Sequence, residues 1–86
     1  MIPSKINLGC GNVIKVEQVA RGLIQSTVGK DTEACWLCES PTNSFVGIIL
    51  IDKTLSQTGK EEALYHELGH AIVDIFQWAV DKRRGK

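Results

Sequence analysis

Thr58-Gly59-Lys60-Glu61-Glu62-Ala63-Leu64-Tyr65-His66-Glu67-Leu68-Gly69-His70-Ala71-Ile72-Val73-Asp74-Ile75-Phe76 is the stretch whose reading decides the fold. Leu64, Leu68, Ala71, Ile72, Ile75 and Ala79 recur at helical spacing and form one apolar stripe. The spacing predicts a long helix over 58–80. Ser56 or Thr58 is placed to cap it, and Thr58 with Glu61 fits a capping box. At 100° per residue, the midpoint of His66 and His70 falls nearly opposite the middle of the stripe. The helix is therefore expected to bury one side on a sheet and turn both histidines outward.

Working back toward the N-terminus, Val46-Gly47-Ile48-Ile49-Leu50-Ile51 is apolar on both faces, the pattern of a strand covered on both sides. It is expected to run over 45–52 at the centre of a sheet. A partner strand over 33–39 precedes it, joined by the turn residues Ser40-Pro41-Thr42-Asn43. Lys5-Ile6-Asn7-Leu8, the turn Gly9-Cys10-Gly11-Asn12 and Val13-Ile14-Lys15-Val16 read as a β-hairpin. Val16, Val19, Ala20, Leu23 and Ile24 then switch to helical spacing, predicting a short helix over 17–26 and a loop over 26–32. The expected fold is α+β: an antiparallel or mixed sheet of about four strands, a short helix and a long C-terminal helix, in one domain over 1–86.

Composition narrows the function. The 86 residues are 43% hydrophobic, with ten basic and ten acidic side chains and a formal net charge of zero. No global field favours nucleic acid or an anionic membrane, and the basic end Asp81-Lys82-Arg83-Arg84-Gly85-Lys86 suits a solvated helix C-terminus. No nucleic-acid partner and no membrane association are expected. The longest apolar run, from Phe45 to Ile51, is far short of a span. Three cysteines without a visible secretory signal fit a reduced, cytoplasmic protein.

The chemistry concentrates in His66-Glu67-Leu68-Gly69-His70, an H-E-x-x-H pattern that uses both histidines of the chain. On a helix, side chains at i and i+4 lie one above the other, so two imidazoles can grip one zinc ion. Glu67 is then placed to accept a proton from a water molecule activated at the metal. Asp74 shares the histidine face but lies eight residues past His66, about 12 Å along a straight helix. It is too distant to join His66 and His70 on one ion, and it is better placed to orient the His70 ring. Cys35-Trp36-Leu37-Cys38 is the other cluster. On a strand its two thiols point to opposite faces, so buried structural cysteines are favoured over metal binding, with or without Cys10, and over redox chemistry.

The block from Tyr65 to Ala71 resembles the active-site helix of zincin metallopeptidases, and the order of two hairpins followed by this helix resembles small gluzincin-type domains. Met1-Ile2-Pro3-Ser4-Lys5-Ile6, the strand ending Ile51-Asp52 and the run from Leu55 to His70 resemble small ImmA/IrrE-like proteins encoded by phages and mobile elements. The resemblance implies a zinc cofactor held by His66 and His70, Glu67 as general base, and a peptide or protein substrate. A gluzincin's third ligand is a Glu on a following helix, at a distance from His66 that lies beyond Lys86. The metzincin Gly and third His would fall at Val73 and Phe76. Cys10, Cys35, Cys38, Glu61, Glu62 and a residue of a second subunit in a homo-oligomer remain as donors, and two histidines alone imply weak zinc binding. The alternative is a non-catalytic zincin-fold binding or regulatory module. A Cys/His structural-zinc adaptor for nucleic acid is disfavoured by zero net charge and a single C-x-x-C.

Overall fold

A computed structural model of the chain describes residues 2–9, 12–38 and 46–83. The elements run β1 (Lys5–Gly9), β2 (Asn12–Val19), α1 (Arg21–Val28), β3 (Ala34–Cys38), β4 (Val46–Asp52) and α2 (Gln57–Arg83). Four strands form one mixed sheet in the order β1-β2-β4-β3. The α+β architecture expected from the sequence is the one observed. Cys10, Gly11, the turn at 40–43, Phe45 and the end of the basic tail lie outside the described residues.

The sheet order follows from the apolar patterning. β4 is an interior strand, parallel to β2 (Val13↔Val46 through Val19↔Asp52) and antiparallel to β3 (Ala34↔Ile51 through Cys38↔Gly47). Its alternate residues feed two cores. Ile49 and Ile51 pack with Ile14, Val16, Ala34, Leu64 and Ala71, the last two from α2. Leu50 and Ile48 pack with Cys35, Leu37 and Ile24, the last from α1. A strand with a helix on each face has no solvent side, which is why it carries no alternating polar residue. The hairpin β1–β2 pairs Lys5 with Lys15 and Ile6 with Ile14, with a register shift between Asn7 and Gly9.

Two boundaries differ from the spacing-based expectation. The segment 17–19 is strand rather than helix, because the parallel ladder with β4 continues through Val19, whose carbonyl also accepts from the Lys53 amide at 2.9 Å. Tertiary hydrogen bonding outweighs a weak local helical preference. The helix begins at Arg21 instead and consumes part of the expected loop. The Ser26 and Thr27 hydroxyls donate back to the Leu23 carbonyl, at 3.1 and 2.7 Å. Gly29 ends it in the left-handed conformation, φ 79°, with its amide on the Gln25 carbonyl.

The long helix starts where Ser56 caps it: its hydroxyl accepts from the Gly59 amide at 3.1 Å. Thr58 is already inside the first turn. Leu64 and Ala71 are buried, and Leu68 and Ile75 pack against the same core. Ile72 and Ala79, expected on the buried stripe, are exposed. The contact line follows Leu64, Ala71 and the partly buried Glu67, so the helix is rotated toward its glutamate side and Ile72 turns away from the sheet.

Leu64→Ala should therefore cost about 2–5 kcal/mol in chemical denaturation of dilute protein, whereas Ile72→Ala should stay within about 0.5 kcal/mol of the parent under the same dilute conditions. Equal losses at the two positions would place the helix in a different rotation.

Candidate metal centre

Because α2 crosses over β3 and β4, one side of it faces the edge strand β3, and His66 and Glu67 lie on that side. Two adjoining depressions meet at Thr32, Ala34, His66 and Glu67. The larger, about 550 Å³, extends toward Arg21, Asp31, Glu33 and Glu62. The smaller, about 300 Å³, extends past Cys35 and Trp36 to His70. The result is a cleft between the helix, the strand edge and the α1–β3 connection, with His66 and Glu67 at its middle.

The two imidazoles face each other. His70 Nε2 lies 3.2 Å from His66 Nε2, and the rings meet edge to face with centroids 4.8 Å apart. Two nitrogens bound to one tetrahedral zinc at ~2.0–2.1 Å stand roughly 3.3 Å apart. The pair thus already has the spacing of two ligands on one ion, with His66 exposed to receive it (side chain 70% accessible). Glu67 has a side chain only 14% accessible, and its Oε2 is 4.0 Å from His66 Nε2. Its carboxylate sits on the sheet side of the pair, within reach of a molecule bound at the imidazoles but not in line as a third ligand of the His66–His70 pair.

Among the described residues, no group of three His, Cys, Asp or Glu side chains is gathered to hold a metal. Cys35 is buried, and burial together with the nearby Glu67 charge pushes its thiol above the usual range, only partly offset by the Leu50 backbone. Zinc binding there would have to displace a more tightly held thiol proton, which weakens Cys35 as a ligand. Cys38 is exposed, on the opposite face of β3 from Cys35, as the three-residue spacing requires. Both are free cysteines. Glu61 is engaged by Gln57 at 3.3 Å, and Glu62 lies along the larger depression. Cys10 lies outside the described residues.

Asp74 has a role that sequence spacing did not reveal. Its Oδ2 accepts a hydrogen bond from the Trp36 indole at 2.7 Å, joining edge strand to helix one turn beyond His70. The indole reaches across β4 at Gly47, where a Cβ would collide with the ring and stand 2.8 Å from the Leu37 carbonyl oxygen. Glycine in this interior strand is explained by that close approach. Gly47, Trp36 and Asp74 together fix how far β3 stands from α2, and hence the width of the cleft.

At the far end Arg21 bridges the loop and the sheet, donating to Asp31 at 2.9 Å and to the buried Asp52 at 3.2 Å. The Asp31 and Asp52 contacts raise the arginine further above its ordinary value. Asp52 also accepts from the Thr54 amide and hydroxyl, at 2.9 and 2.7 Å, and these bonds, ahead of the arginine, hold its carboxyl below the usual range. The stabilisation from a depressed carboxyl is present above the unfolded value and is lost as pH falls through the folded one. Protonation of Asp52 at low pH is therefore expected to loosen the Arg21 anchor beside the cleft.

No family model, curated protein or solved structure matches the chain. No helix among the described residues is long and apolar enough to cross a membrane.

Gly47→Ala should displace the indole and cost about 1–3 kcal/mol through overpacking. It should also change the Trp36 environment, read by tryptophan fluorescence in a Trp78→Phe background. An unaltered emission and stability would show that the ring does not occupy this position.

Proposed function

We propose that the cleft between α2 and β3 is a zincin-like centre, in which His66 and His70 hold zinc and Glu67 serves as the general base for peptide hydrolysis. The observation that carries this reading is the 3.2 Å separation of the two Nε2 atoms beside a largely sequestered carboxylate. Zinc, when bound, supplies Lewis acidity to polarise a carbonyl and lowers the pKa of water. The chain's own residues do the rest. The imidazoles orient the ion at the mouth of the cleft. Glu67, held on the sheet side, accepts a proton from the attacking water and can return it to the leaving amine. β3 is an edge strand, so its outer side offers backbone donors and acceptors to an extended peptide laid alongside it. A peptide or protein is accordingly the substrate class. The free thiols of Cys35 and Cys38 support a reducing, cytoplasmic setting.

A second reading has its own support. Two histidines with no third ligand gathered among the described residues favour weak metal binding, and a zincin-derived binding or regulatory module of phage or mobile-element type would retain this cleft without turnover.

Calorimetric zinc titration and cleavage of a peptide library separate the two. Under the catalytic reading, Glu67→Gln abolishes a chelator-sensitive cleavage yet keeps zinc, because an amide accepts no proton and Glu67 is not a ligand. His70→Ala loses both metal and cleavage. A parent protein that binds zinc but cleaves nothing supports the module, and one that binds no zinc contradicts both the metal centre and its chemistry.

A further inference from the structure

Tyr65, Ile72, Val73 and Phe76 lie along one side of α2, facing neither the sheet nor the cleft. Tyr65, Val73 and Phe76 are about two-thirds exposed and Ile72 about half. With an aromatic side chain presenting ~200 Å² in full, the four leave on the order of 500 Å² of apolar surface, at the upper end of what a monomer shows. Gly69 lies among them, and a Cβ there would meet nothing within 4 Å. Among the described residues nothing requires glycine at this helix-interior position, where it is disfavoured.

We propose that this face docks on a second copy of the chain, the two α2 helices running antiparallel about a two-fold axis at Ile72–Val73. Two features of the helix agree on that register. It pairs position 69 with position 76, so the gap at Gly69 receives the partner's Phe76 ring. It also sets the two helix dipoles in opposition. Two such faces bury roughly 1,000 Å² before flanking residues are added, the lower bound for a specific interface. A formal net charge of zero removes any general repulsion between copies. The pairing leaves both cleft mouths open and is independent of metal.

Sedimentation equilibrium of the metal-free protein from micromolar to millimolar concentration tests the proposal. The expected result is a reversible dimer whose dissociation constant rises at least tenfold in Phe76→Glu, with circular dichroism unchanged because the side chain is exposed. Gly69→Leu should weaken the dimer several-fold, because its side chain fills the space that receives the partner's Phe76. A monomer throughout the range, or a dimer indifferent to Phe76→Glu, would overturn the pairing. A dimer indifferent to Gly69→Leu would overturn the antiparallel register.

Discussion

The seating of α2 on the edge half of the sheet governs everything else in this molecule. Leu64 and Ala71, about two helical turns apart, are the buried contact points, and Ala71 is fully enclosed. A methyl group at that contact lets the helix lie close to Ile49 and Ile51, where a larger side chain would lift it. This close approach sets the rotation of the helix about its axis. From that single rotation Glu67 turns inward beside β3, the imidazoles of His66 and His70 stand at the cleft mouth, and Tyr65, Ile72, Val73 and Phe76 face solvent.

A second constraint fixes the opposite wall. β3 is held laterally by its ladder to β4, and from above by the Trp36–Asp74 hydrogen bond. That bond exists because Gly47 leaves room for the indole. Arg21, spanning Asp31 and Asp52, secures the connection that closes the far end.

Much of this was legible in the sequence, for identifiable reasons. β4 announces itself because a strand covered on both faces must be apolar on both, and the chain supplies such a run from Val46 to Ile51. The long helix is legible from its period and from Ser56. The parallel pairing of β2 with β4 was not, since it depends on a contact across 33 residues of chain, and it turned 17–19 from helix into strand. The rotation of α2 was misread by one position on the wheel: hydrophobicity ranks Ile72 above Glu67, but the cleft beside β3 accommodates the carboxylate. Among the site residues, the pairing of His66 with His70 follows from i, i+4 geometry alone. The engagement of Asp74 by Trp36 does not, because it requires knowing that β3 lies under that turn of α2.

The central claim is that the two imidazoles act as one preformed metal grip. Its most direct test is a zinc titration followed through the imidazole nitrogens in a long-range ¹H–¹⁵N correlation spectrum of the protein labelled at histidine. The account predicts that the Nε2 resonances of His66 and His70 shift together, in proportion, and saturate at one zinc per chain. Independent titration of the two rings, or Nε2 resonances indifferent to zinc, would contradict it.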